Sequence, residues 1–157
     1  MGGAGRHRAN SEVTVFLVAD NQLLREVMAR LFQKRGRIRL VGASATAGLT
    51  WPKVAAARSK VVLVEGTALK DAPGLLRHLS ANVPQSRLVI FGVYEDLDLF
   101  LRLISIKVSG YALSDVSVDK LIGLIREVAQ SDSLPGPMDS QSPATDAAVP
   151  AFPGADL

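Results

Sequence analysis

Apolar residues gather into five short, nearly unbroken runs: Val13 to Val18, Ile38 to Val41, Val61 to Val64, Leu88 to Phe91 and Gly110 to Leu113. Each run has the length of a strand, and the stretches between them repeat their apolar residues at helical spacing. In the first such stretch Leu23, Leu24, Val27, Met28, Leu31 and Phe32 share one side, while Arg25, Glu26, Arg30 and Lys34 take the other. Near-continuous Val/Ile/Leu runs, rather than every-other-residue patterning, predict strands covered on both faces, hence a parallel sheet. Right-handed crossovers then predict an α/β, doubly wound, five-stranded sheet of order 2-1-3-4-5 with helices on both faces.

Two of the runs lead to carboxylates. The first reaches Asp20 and the third ends on Glu65. In an open parallel sheet, ligands collect beyond the carboxyl ends of the strands, where the strand order reverses. Asp20 and Glu65 are expected to meet there.

The segment Val18-Ala19-Asp20-Asn21-Gln22-Leu23-Leu24-Arg25-Glu26 resembles the start of bacterial response-regulator receiver domains, the CheY-like superfamily, in particular those that usually carry a helix-turn-helix DNA-binding domain. Val61-Val62-Leu63-Val64-Glu65 is similar to their third strand and Gly110-Tyr111-Ala112-Leu113-Ser114-Asp115 to their fifth. The resemblance covers roughly residues 12 to 130 and implies a flavodoxin-like receiver fold. It also implies a phosphorylation site: two acidic residues after the first strand, an acceptor Asp after the third, a Ser or Thr after the fourth and a Lys after the fifth. Here those positions read Ala19 and Asp20, Glu65, Gly92 and Ser114, with Tyr111 as a further switch-equivalent position.

Each departure removes a piece of phosphoryl chemistry. Magnesium prefers near-octahedral oxygen coordination, and Ala19 supplies no carboxylate to it. Glu65, at the phosphoacceptor-equivalent position, is a methylene longer than Asp, a displacement on the roughly 1 Å scale at which reacting geometry fails. Gly92 has no hydroxyl and Ser114 no positive charge for a phosphoryl oxygen. The expectation is a degenerate pseudo-receiver: no catalytic residues, no enzyme activity and no cofactor, with magnesium at Asp20 and Glu65 only if the pocket works. Glu65 admits two other readings, a polar strand end or a carboxylate that imitates phospho-Asp by reaching towards solvent. A receiver still phosphorylated in a phosphorelay, or a regulator of transcription acting through a DNA-binding partner, stays open as the alternative.

Composition fits one such domain. A chain of 157 residues that is 48% hydrophobic can fill a single core. Residues 1–11 are expected to be a leader and 12–130 the receiver-like domain. Residues 131–157, with five of the eight prolines and four aspartates but no basic residue, are expected to be a disordered tail. Cysteine is absent, which excludes disulfides and thiolate metal sites. No apolar stretch approaches the roughly 18 residues of a membrane span, and the first ten residues lack a signal-peptide core, so a cytoplasmic protein without membrane contact is expected.

Setting the tail's aspartates aside leaves eighteen basic against eleven acidic side chains, near +7. Arg30, Lys34, Arg35, Arg37 and Arg39 cluster at the end of the first helix and the start of the second strand. Cations at a helix C-terminus complement its dipole without any partner, and no aromatic interleaving or recognition helix accompanies them, so direct nucleic-acid binding is not expected.

The clearer sign of a partner is the fourth helix, where Leu97, Leu99, Phe100, Leu101, Leu103, Ile104 and Ile106 surround the axis. A helix apolar on most sides is buried more than once. The resemblance implies that receivers associate through helix 4, strand 5 and helix 5, here through Leu99, Leu103 and Ile106. A protein partner or a dimer is therefore expected, against the bland reading of a well-covered core helix. His7 and His78 lack metal-ligand spacing, Trp51 before Pro52 reads as a packing residue at a helix start, and Gly2 to Gly5 precede no strand-helix unit that could cradle phosphate.

Overall fold

The computed structural model describes residues 12–131, apart from 36, 50, 72, 73, 95 and 107. The expected leader, and the expected tail beyond Ser131, lie outside the described residues. Five strands, β1 (Val13–Val18), β2 (Ile38–Ser44), β3 (Val61–Glu65), β4 (Arg87–Val93) and β5 (Gly110–Leu113), form one sheet. Its order is β2-β1-β3-β4-β5 and every pairing is parallel. The helices are α1 (Gln22–Arg35), α2 (Trp51–Ala57), α3 (Leu75–Asn82), α4 (Leu97–Ile106) and α5 (Val118–Gln130). A single helical turn, Ala68–Asp71, precedes α3, and a 3-10 turn, Thr46–Gly48, precedes α2.

The sheet splits the core in two. On one face Phe16, Val18, Val62, Val64 and Ile90 pack with Val54 of α2, Leu76 and Leu79 of α3 and Leu103 of α4. On the other, Val15, Leu17, Leu63 and Val89 pack with Met28 and Phe32 of α1 and Leu121, Ile125 and Val128 of α5. Alternate residues of the same strand serve opposite layers, which is why the strands read as continuous apolar runs.

Polar residues set the helix starts. Asn21 Oδ1 accepts from the Leu24 amide at 3.1 Å at the head of α1. Asp96 Oδ1 accepts from the amides of Asp98 and Leu99 before α4, and Ser117 Oγ from Lys120 N before α5. These oxygens satisfy amides that lack an intrahelical partner.

Strand β2 runs past Val41 to Ser44, three residues beyond the apolar run. Its register against β1 shifts between Val15 and Phe16, which pair with Leu40 and Gly42, so Val41 is the extra residue of a bulge. Gly42 then lies beside the Phe16 ring, where a Cβ would come within 2.6 Å of Phe16 Cε2. The strand continues through a glycine because the phenyl ring takes the space.

The fourth helix corrects one expectation. Leu103, assigned to the association face, is wholly buried at 0% exposure in the core beneath α4. Leu99 and Ile106 are half-buried and pack against the same core. The helix turns Leu97, Leu101 and Ile104 outward instead, at 46%, 54% and 37% exposure.

Candidate functional site

The site forms where β1, β3, β4 and β5 end. Val18 pairs with Val64 and Glu65 with Phe91, so the segments bearing Asp20, Glu65 and Gly92 leave the sheet side by side. Ala19 is fully buried, and its amide donates to Ser44 O at 3.0 Å. Its carbonyl accepts from Arg25 Nη1 at 2.5 Å, which folds a half-buried guanidinium from the first turn of α1 back over the end of β1.

The two carboxylates share an end of the sheet but turn to different partners. Exposed Asp20 takes the Thr46 amide on Oδ1 at 2.7 Å, and the Thr46 hydroxyl donates to the same oxygen. Glu65 is 9% exposed and accepts from the Thr67 hydroxyl on Oε2. Each acid is closed by a threonine from a neighbouring loop. The reading of Glu65 as a carboxylate reaching out to solvent does not survive this geometry.

Gly92 lies in an irregular stretch of β4, where the register against β5 shifts between Ile90 and Val93, and it adopts φ 71°. Glu65 Oε1 is 3.4 Å from where a Cβ on Gly92 would stand. Gly66 is equally constrained, since a Cβ there would come within 2.9 Å of the Gly92 carbonyl oxygen. Ser114 is exposed just past β5, anchored by its amide to Val93 O at 2.9 Å. Tyr111 pairs with Ile90 and points into the core, its ring edge-on to Phe100 of α4 at 5.8 Å. Burial pushes the Tyr111 phenol from 10.0 up to about 12, because the phenolate would lose its water.

Sequence reasoning missed Arg25, Thr46 and Thr67. Thr67 carried a readable sign, a hydroxyl two residues after a carboxylate in a Glu-Gly-Thr turn, the spacing of local side-chain hydrogen bonds. Thr46 lies twenty-six residues from Asp20, and only the strand order brings it there.

The donor set does not fit a receiver's magnesium ion. Such an ion takes several hard oxygen ligands, whereas residue 19 offers a methyl group, one Asp20 oxygen accepts twice from Thr46, and Glu65 accepts from Thr67. Among the described residues no three His, Cys, Asp or Glu side chains gather as a metal-binding group. None of their helices is long and apolar enough to cross a membrane.

No protein-family model matches the chain. Among curated proteins it is similar to the DNA-binding transcriptional activator DevR/DosR of Mycobacterium tuberculosis, with 28% identity over 124 residues, 78% of this chain and 57% of that protein. The chain thus spans little more than half the length of this relative. Among solved structures it is similar to a LuxR-family two-component response regulator from Aurantimonas sp. SI85-9A1, with a TM-score of 0.63, 20% identity, and 76% of this chain and 86% of that one covered. It is also similar to RcsB of Salmonella enterica serovar Typhimurium, solved on promoter DNA with a phosphomimetic, with a TM-score of 0.64, 9% identity, and 79% and 63% covered. Strand order, crossovers and neighbours agree, and by fold the chain is a receiver domain of the CheY-like superfamily, the fold of two-component response regulators.

Proposed function

We propose that residues 12–130 act as a pseudo-receiver, a cytoplasmic, non-enzymatic signalling domain that works through protein association and accepts no phosphoryl group. The observation that carries this reading is the closed pair of carboxylates. Asp20 is held by Thr46 and Glu65 by Thr67, while Ala19, Gly92 and Ser114 supply neither a ligand nor a charge. In-line attack on a phosphodonor needs a free, aimed carboxylate and a metal that neutralises the transferred group. Glu65 is folded under Gly92 instead, and phosphoryl transfer lacks both requirements.

The association surface proposed is the outer stripe of α4, with Leu97, Leu101 and Ile104 at i, i+4 and i+7. The occupant is a second copy of the chain. Exposed Asp98 and Arg102 flank the stripe four residues apart. Antiparallel packing of α4 on its own copy about a two-fold axis brings each Asp98 towards the other copy's Arg102 while the leucines cover one another.

Incubation with acetyl phosphate and magnesium, read by intact mass, tests the reading of the cleft. The expected result is unchanged mass, and a stoichiometric gain of one phosphoryl group on residue 20 or 65 overturns it. A second reading is favoured by the sequence relative, a DNA-binding activator. The domain would then regulate transcription through a DNA-binding partner, which leaves the closed cleft and the α4 surface as they stand.

A further inference from the structure

Beside the acidic cleft, where β2 gives way to α2, lies a cavity of about 280 Å³ lined by Thr46, Leu49, Trp51, Gly74, Leu75 and His78. We infer that it binds a flat heteroaromatic molecule of one or two fused rings that carries an N–H donor.

Three features define that ligand. The volume falls just below the roughly 300–1,000 Å³ of pockets that hold drug-sized ligands, so it suits a small ring system. The walls suit a flat one: Trp51 and His78 stack at 5.3 Å between centroids and 23° between planes, with Leu49 and Leu75 completing an apolar lining. Gly74 leaves the space between them open, since a Cβ there would reach ordinary contact distance, 3.5 Å, from His78 Cδ2.

The polar character follows from Thr46. Both its amide and its hydroxyl hydrogen are directed to Asp20 Oδ1. What remains to Thr46 is acceptance by its hydroxyl oxygen, so a ligand that meets it must donate. The same residue ties the cavity to the cleft, because a ligand bonded to Thr46 loads the hydrogen bond that holds Asp20. The cavity stands at the carboxyl end of a parallel sheet, where α/β folds collect ligands, and its chemistry shares no step with phosphoryl transfer.

Trp51 is the chain's single tryptophan, so its indole N–H gives one unambiguous resonance. The full-length, ¹⁵N-labelled chain is titrated with benzimidazole and with 1-methylbenzimidazole, which lacks the donor. Benzimidazole is expected to move the Trp51 indole signal along a saturating curve with a dissociation constant on the order of 1 mM, typical of a fragment of about nine non-hydrogen atoms. The methylated probe is expected to bind at least about fivefold more weakly, because Thr46 gains no hydrogen bond from it.

Gly74→Val, which fills the opening at a backbone φ of −85° that valine tolerates, is expected to abolish the response. His78→Ala, at an exposed position whose loss leaves the core intact, is expected to weaken it several-fold. A linear drift without saturation, or an unchanged curve in both variants, overturns the site. Equal affinity for the two probes overturns the donor requirement.

Discussion

Oε1 of Glu65 lies 3.4 Å from the point at which a side chain on Gly92 would begin, and its Cγ lies 3.9 Å from that point. The two positions are complementary. The extra methylene of a glutamate needs room at the end of β3, and a glycine on the adjacent strand leaves it. Gly92 also adopts φ 71°, which any other L residue adopts only at a cost. The carboxylate therefore rests over β4, where a receiver's hydroxyl would stand, with Thr67 closing its other oxygen.

Restoring that hydroxyl should harm the fold. Gly92→Ser places a Cβ against Glu65 and forces a left-handed backbone on serine, with an expected loss of about 1–2 kcal/mol. Gly92→Asn, whose residue type enters that region more readily, should lose less at the backbone. Urea unfolding of the two variants beside the parent checks the order. A serine variant as stable as the parent contradicts the complementarity.

Thr67→Val tests the closure of Glu65 directly. The substitution keeps the shape of the side chain and removes the one hydroxyl donating to a carboxylate that is only 9% exposed. An acceptor left short of a partner in a nearly buried site costs about 1–3 kcal/mol. Thr46→Val should cost less, since exposed Asp20 can take water in place of the hydroxyl. Denaturant midpoints rank the two, and the reverse order would count against the burial argument.

The buried phenol of Tyr111 makes stability fall at high pH. Its pKa is raised from 10.0 to about 12 in the fold, so between those values the unfolded chain releases a proton that the folded chain retains. The contribution is fully present below pH 10 and is lost as pH rises towards 12, by up to about 2 kcal/mol. Tyr111→Phe removes the phenol and should flatten this part of the stability profile. Parallel unfolding series on both proteins across the window measure the difference, and identical slopes would rule out Tyr111 as the source.

Much of this architecture was legible in the residues. Runs such as Val61 to Val64 are buried on both sides, and continuous apolar character marks that burial directly. The end of β2 was not legible, because Gly42 and Ala43 read as a loop until the Phe16 ring shows why a glycine belongs in that strand. In the cleft, the identities at 19, 20, 65, 92 and 114 already mark which phosphoryl-handling groups are missing. Their new partners were hidden, since Thr46 reaches Asp20 only through the β1–β2 pairing and Arg25 reads as a solvent-facing residue of α1.

The misassigned face of α4 yields the sharpest contrast between two leucines four ångströms of sequence logic apart. A helix apolar on nearly every side carries no phase in its hydrophobic pattern, so only packing decides which residue turns inward. Leu103 is the inward one, and Leu103→Ala should cost about 2–5 kcal/mol by leaving a cavity between α4 and the sheet. Leu103→Asp should unfold the domain, so any loss of association in that variant reports on folding and not on the surface. Leu101 is the outward one, at 54% exposure, and Leu101→Asp should change stability by no more than about 0.5 kcal/mol. If α4 packs on a second copy, Leu101→Asp turns a dimer into a monomer at unchanged melting temperature, because it sets a carboxylate into an apolar contact repeated by the two-fold axis. Sedimentation equilibrium beside thermal unfolding separates the two effects. A parent chain that is monomeric at high micromolar concentration, with Leu101→Asp indistinguishable from it, removes the second copy as the occupant of that stripe.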